Sequence, residues 1–378
     1  MNAAFLGFSF GQPRGINRLT MSKGIGRLLL PLQPATGIFR DNRETNDMQT
    51  AFKLLAVGAL AALATPALAQ DKVTYGTNWV AQAEHGGFYQ AVVDGTYAKY
   101  NLDVTIRQGG PQISGQTMLI AGQIDFYMGG TSAINGQIEG IPLVNLASIF
   151  QKDPQILIAH PDKGFETFAD LAKASKILIS AEANTTYWAW MKANFEGFKD
   201  EQLVPYTFSP APFIADDMAV QQGYLTSEPY AVEKEAGFVP KVFLLADAGY
   251  EPYSTTIMAM QPWVDEHKDV AQRFVEASII GWYNYLYGDN AAANAMIKTE
   301  NPEMTDEQIA FSIAKMKEYG IAVSGDAVDK GIGCMTDARW KDFYDMGVSI
   351  GMYPAGIDYT KAYTTEFVCK GVGVDLVK

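Results

Sequence analysis

Three histidines, His85, His160 and His267, are all the imidazole that this chain of 378 residues carries, and they lie far apart in sequence. None belongs to an H-E-x-x-H pair or to a Cys/His spacing that would set ligands on one face of a helix, so no metal centre is expected. No G-x-S-x-G elbow, P-loop or G-x-G-x-x-G segment opens a helix after a strand. Asp216-Asp217 comes nearest to a carboxylate pair. Neighbours on a helix point in different directions, and a solvated face explains the two better than acid–base work. The sequence asks for no catalysis, no metal and no cofactor.

Its chemistry is that of binding. Four short segments combine aromatic rings with hydrogen-bonding groups. The first holds Asn78, Trp79, Glu84 and His85, followed by Gly86-Gly87. The second is Gly129-Gly130-Thr131-Ser132, where paired glycines let a ligand approach backbone N–H groups at a helix start. Asn184, Thr185, Thr186, Tyr187 and Trp188 form the third, and Ser227-Glu228-Pro229-Tyr230 the fourth. Each has a plain structural alternative: Trp188 and Trp190 as core, His85 as a loop-stabilising donor, Gly129-Gly130 as a tight turn, Glu228 as a surface carboxylate. A shared role is favoured because all four follow strands or open helices at corresponding places.

Those places come from an α/β alternation. Apolar runs predict strands over 72–76, 102–106, 125–128 and 143–150, with helices over 87–97, 114–121 and 131–139 between them. The pattern restarts after His160-Pro161. Strands are expected over 176–180, 203–208, 224–226 and 241–245, and helices over 186–198 and 213–222. From Pro262 the chain reads as mainly helical, with a long apolar stripe over 264–287 and N-caps at Thr305 and Thr336. Two α/β units with a helical return suggest two lobes. The expected division is 70–155 with 247–378 for lobe I and 156–246 for lobe II. A cleft between such lobes is where strand ends and helix N-termini collect a ligand.

Before the first strand stands an export signal. From Met48 a short basic start leads into an apolar run from Leu54 to Ala64, then Pro66 and Ala67-Leu68-Ala69. That is the order of n-region, h-region and A-x-A cleavage site, so 48–69 is expected to be removed and the exported chain to begin at Gln70. The apolar run is well short of the roughly 20 residues that cross a bilayer. Residues 1–47 are read as a misplaced start or a disordered extension. The chain has a formal net charge of −13, and the N-terminal segment is its more basic part. Such acidity repels phosphate backbones, which argues against nucleic acid as a partner. The signal carries no cysteine for a lipid anchor, which points to an unanchored periplasmic protein. The only two cysteines, Cys334 and Cys369, are an even pair in an oxidising compartment and predict a disulfide.

The series Asn78-Trp79, His85-Gly86-Gly87-Phe88-Tyr89 and Tyr100-Asn101-Leu102-Asp103-Val104 resembles the opening of NMT1/THI5-like substrate-binding proteins of ABC importers. The resemblance continues through Ala121-Gly122-Gln123-Ile124-Asp125-Phe126, Gly130, Gly140-Ile141-Pro142-Leu143, Phe168-Ala169-Asp170-Leu171 and Glu228-Pro229-Tyr230. That group includes binders of thiamin-pyrimidine precursors and, more distantly, of sulfonates, taurine and nitrate. It implies a type II periplasmic binding protein fold, two lobes with a hinged ligand cleft. It also implies a small-molecule ligand, an inner-membrane ABC permease with its ATPase as partner, and a monomer. In this reading Trp79 and Tyr187 or Trp188 stack on a planar ligand, while Asn78, His85, Thr131, Ser132 and Glu228 supply hydrogen bonds. Gly130, Thr185 and Tyr230 complete the candidate set. The pyrimidine branch is favoured over the sulfonate branch, because an anion prefers an arginine fork and Arg107 alone is expected near the cleft. The related fungal pyrimidine synthase has a cysteine-rich iron motif that this chain lacks, which argues against an enzyme.

Overall fold

The computed structural model describes residues 69–110, 113–180, 183–207 and 209–377. The expected extension, 1–47, and all but the last residue of the expected export signal, 48–69, lie outside them. The chain begins with β1 (Asp71–Gly76), β2 (Leu102–Arg107), β3 (Phe126–Gly129) and β4 (Leu143–Phe150). It then builds β5 (Gln155–Ala159), β6 (Lys176–Ile179), β7 (Leu203–Pro205), β8 (Ala219–Tyr224) and β9 (Lys241–Leu244), and returns with β10 (Ser254–Met260). Two five-stranded sheets result, in the orders β2-β1-β3-β10-β4 and β7-β6-β8-β5-β9. In the first, β1 pairs in parallel with β2 and β3, while β10 runs antiparallel between β3 and β4. The second repeats the plan: β6 is parallel to β7 and β8, and β5 runs antiparallel to β8 and β9.

The helices that matter below are α1 (Gly86–Val93), α2 (Ser132–Glu139), α3 (Tyr187–Asn194), α4 (Glu228–Ala236), α5 (Lys268–Tyr287), α6 (Asp306–Glu318) and α7 (Asp337–Ser349). The apolar stripe of α5 is the core of the first sheet's side. Phe274 stacks on Phe126 at 4.3 Å and on Tyr97 at 5.4 Å, and Trp282 meets Phe88 and Phe150 edge-on. Burying each such ring contributes roughly 1.5–3 kcal/mol. Gly86 and Gly87 let α1 lie directly on α5, for a Cβ would fall 2.0 Å from the Tyr285 ring and 2.2 Å from that of Trp282. The His-Gly-Gly sequence is thus a packing device as well as a loop. Thr305 caps α6 by accepting from Gln308 N–H, and Thr336 caps α7 by accepting from Arg339 N–H.

The C-terminal segment covers the free edge of β4 through bridges from Gly333 to Ser148 and from Tyr363 to Asn145, which shields an otherwise unpaired strand. Cys334 and Cys369 form the disulfide, with Cα atoms 4.5 Å apart. The two passages between the sheets, around residues 151–154 and 245–253, meet at one side chain. Arg339 donates to the carbonyl of Gln151 in the first passage and to those of Glu251 and Pro252 in the second, and its guanidinium lies 4.2 Å from the Tyr253 ring centre.

Several elements differ from the sequence reading. The helix expected over 213–222 is a single turn, Ala211–Ile214, followed by β8. The glutamines of β8 mimic a helix surface, but the strand is taken up between β5 and β6. Asp216 and Asp217 sit in the intervening turn, where they pair with Lys176 and Lys163. The strand expected over 224–226 is instead the end of β8 and the approach to α4. The helix expected over 186–198 is the shorter α3, and the 264–287 stripe is divided at His267, with Gln261–Glu266 helical before it. Neither β5 nor β10 was foreseen. Residues 255–259 of β10 are buried without a break, so the strand shows no alternation to read.

Candidate ligand-binding cleft

Between the two sheets runs a cleft with two adjoining compartments, and Asn78 and Met128 line both. The first, of about 390 Å³, is bounded by the Gly129-Gly130-Thr131-Ser132 turn at the start of α2, and by Gln116 and Tyr127. Facing these are Ser180, Thr186 and Tyr187 from the second sheet's side. Asp153, Gln155, Tyr250, Pro252, Tyr253 and Ser254 come from the passages and the strands they join. The second compartment, of about 510 Å³, is lined by Trp79, Gln82, Glu84, His85, Tyr206, Tyr224, Ser227, Glu228 and Glu303.

The loop that carries Asn78 and Trp79 is held on several sides. Thr77 Oγ1 donates to the carbonyl of Trp79 at 2.7 Å, and Gly109 N–H donates to the same carbonyl at 3.1 Å. Gln108 accepts from Ala81 N–H at 2.9 Å, and Asn301 donates to the carbonyl of Ala81 at 2.8 Å. Gly109 must be glycine for this approach, since a Cβ would fall 2.5 Å from the Thr77 carbonyl oxygen. Asn78 is left exposed and Trp79 half-buried at the cleft wall.

Gly130 faces open space where a Cβ would meet nothing nearer than 3.9 Å, whereas Gly129 is packed against Met258. Ser132 donates to Gln116 at 3.1 Å. Tyr187 donates its hydroxyl to Gln222 at 3.0 Å, and that same amide oxygen accepts from Ser180 N–H. Glu228 opens α4 with both carboxylate oxygens engaged. One accepts from the Tyr206 hydroxyl at 3.0 Å, the other from Tyr224 N–H at 2.6 Å. Burial nevertheless holds its carboxyl above the ordinary glutamate range. Glu84 accepts a hydrogen bond from Thr226, and burial raises it too, with the nearby Glu228 charge adding to the effect. His85 is fully buried, neither ring nitrogen has a hydrogen-bond partner, and burial pushes it down to about 3. It is neutral at any ordinary pH.

Of the residues singled out from sequence, the structure brings Asn78, Trp79, His85, Gly130, Thr131, Ser132, Tyr187 and Glu228 to this cleft. Thr185 lies in the turn Ala183–Thr185 beside it. Trp188 and Tyr230 do not line it. Trp188 is core, its indole N–H donating to Asp200 at 2.8 Å and its ring edge-on to Phe198. Tyr230 packs on Phe311 from α6, under the ammonium of Lys234. Arg107 is exposed at the end of β2 and lines neither compartment. Sequence reasoning passed over Tyr127, Ser180, Tyr224, Asp153 and Glu303. Ser180 and Tyr224 stand at or just beyond the C-terminal ends of β6 and β8, where ligands of such sheets collect, and that rule would have found them, whereas Tyr127 lies within β3.

Sheet order, the two passages and the cleft between them define a type II periplasmic binding protein fold. The chain belongs to the NMT1/THI5-like family, whose model matches residues 82–293, more than half of its length. Among solved structures it is similar to the Escherichia coli periplasmic aliphatic sulphonate binding protein SsuA, with 14% identity and a TM-score of 0.55 over 77% of this chain and 91% of that one. It is similar also to the alkanesulfonate-binding protein SsuA of Xanthomonas axonopodis pv. citri bound to MOPS, with 13% identity and a TM-score of 0.56 over 79% and 99%. The desulfurization enzyme DSZB shares the fold, with 14% identity and a TM-score of 0.52 over 79% and 97%. No curated protein sequence matches the chain. No helix of the described residues is long and apolar enough to cross a membrane.

Proposed function

We propose that this protein is the exported solute-binding component of an ABC importer, which captures a small aromatic heterocycle of the aminopyrimidine type and delivers it to a permease. The observation that carries the reading is the cleft's chemistry. Its described lining holds Trp79, five tyrosines beside Tyr187, and four carboxylates, but no lysine or arginine. Rings offer stacking, worth about 0.5–1.5 kcal/mol per pair beyond area burial. Carboxylates accept from an exocyclic amine or a ring N–H. No catalytic constellation stands among the described lining residues, and binding and release rather than turnover is the role proposed. Export rests on the segment before Gln70. Intact mass of periplasmic material should begin there, and retention of residues 1–47 would overturn that part.

A second reading, capture of a small anion such as a sulfonate, is favoured by one feature. The Gly129–Ser132 turn presents the N-terminal amides of α2 to the first compartment. Titration calorimetry separates the two. A 4-aminopyrimidine should bind, and Trp79→Ala should weaken it by about 1–3 kcal/mol through lost burial and stacking. Alkanesulfonates should bind weakly or not at all. Tight sulfonate binding that is indifferent to Trp79→Ala would replace the first reading with the second.

A further inference from the structure

The second compartment collects carboxylates from three separate parts of the chain. Glu84 comes from the turn before α1, Glu228 from the first turn of α4, and Glu303 from the loop before α6. Acidic groups elsewhere on the molecule are commonly neutralised by lysine or arginine, as at Asp71, Asp200 and Asp247. These three are in no ion pair with any described residue. Glu84 is buried and Glu228 half-buried, near enough that the Glu228 charge acts on Glu84, and like charges cost most where water is scarce.

A second, independent feature points to a guest. The His85 ring lines the same compartment with both nitrogens unpartnered, although the side chain is 0% exposed. A buried imidazole normally finds a partner, and a neutral one brings no positive charge but can accept an N–H. Trp79, Tyr206 and Tyr224 complete the wall, and aromatic faces attract cations. A metal ion fits poorly, because no group of three or more His, Cys, Asp or Glu side chains among the described residues is placed to hold one.

We propose that the compartment formed by Trp79, Glu84, His85, Glu228 and Glu303 binds the positively charged head of an organic cation, such as a protonated amidine or aminopyrimidinium. The rest of the ligand passes Asn78 and Met128 into the hydroxyl-lined first compartment. The proposal rests on the reading of the cleft as the ligand site, and it adds the ligand's charge.

Three ligands of similar size, titrated at pH 8.5 into the exported protein, test it: 4-amino-1,2-dimethylpyrimidinium, a permanent cation; 4-amino-2-methylpyrimidine, neutral at that pH; and benzenesulfonate. The cation should bind about tenfold or more tighter than the neutral ring, as a charge-assisted contact exceeds a neutral one. Glu84→Gln should remove most of that preference, the cation losing far more affinity than the neutral ring. Glu303→Gln, at an exposed position, should shrink the preference without touching the fold, so a misfolded Glu84 variant does not close the question. Equal affinity for cation and neutral ring overturns the cation proposal and leaves the heterocycle reading standing. Binding of benzenesulfonate alone, or of none of the three, overturns both.

Discussion

At the scale of single residues, His85 couples the cleft to pH. Its imidazole is neutral in the folded protein down to about 3, whereas the unfolded chain takes up a proton near 6.5. A depressed folded-state value means that the stability His85 permits is fully present above pH 6.5 and is lost as pH falls below it. Glu84 and Glu228 act in the opposite sense. Their raised values favour the folded state below about 4.5 and cease to do so as pH rises through the folded-state values. Comparison with His85→Asn isolates the first effect. Between pH 7 and pH 5 the wild type should lose about 2 kcal/mol more than the variant, measured by urea unfolding. Equal losses would mean that His85 titrates in the folded protein. At this scale the sequence also had a blind spot. Trp188 follows Tyr187 by one residue, and the 100° step of a helix turns it from the cleft into the core. Tyr230 lies two residues beyond Glu228 on α4, which carries it round to Phe311. Residue type and proximity suggested both as ligand contacts, and helical geometry sent them elsewhere.

At the scale of elements, legibility followed the patterning of apolar residues. The strand expected over 143–150 is β4 to the residue, because Leu143–Phe150 is apolar apart from Asn145 and Ser148 and is bounded by Pro142 and the polar passage beyond it. Strand β10 escaped notice although it is the piece that returns the chain to the first sheet, since its neighbours on both sides and both faces bury it. Whole-sheet pairing decides such a strand, and no local window contains that information. The disulfide was readable from cysteine count and compartment. Its site was not: Cys334 sits where Gln151 donates to its carbonyl at 2.8 Å and Ser148 N–H bonds Gly333 at 2.9 Å. The bridge therefore ties the C-terminal segment to the end of β4. With the cysteines separated by 35 positions in sequence, the chain-entropy model puts the bridge's contribution on the order of 3–4 kcal/mol. A Cys334→Ser, Cys369→Ser double variant should unfold at correspondingly lower urea, and adding reductant to the wild type should reproduce that shift. Unchanged midpoints in both would show that packing alone holds the segment.

At the scale of the whole molecule, two sheets are joined by two passages, and the proposed capture and release needs a change of angle between them. Arg339 gives that motion an unusual constraint. One planar cation grips carbonyls from both passages, so neither ribbon can bend without dragging the other. Arg339→Lys keeps the charge but loses the fork, because an ammonium cannot reach three carbonyls in fixed geometry. Spin labels on opposite lobes should then report a broader spread of distances in the empty protein, with ligand affinity lowered because fewer molecules stand ready to close. An unaltered distance distribution would mean that the passages are already stiff without it. In mechanical terms the guanidinium is a pin through two straps. A joint pinned in this way should favour one axis over twist and shear, so that every opening should present the same face to whatever the protein must dock against.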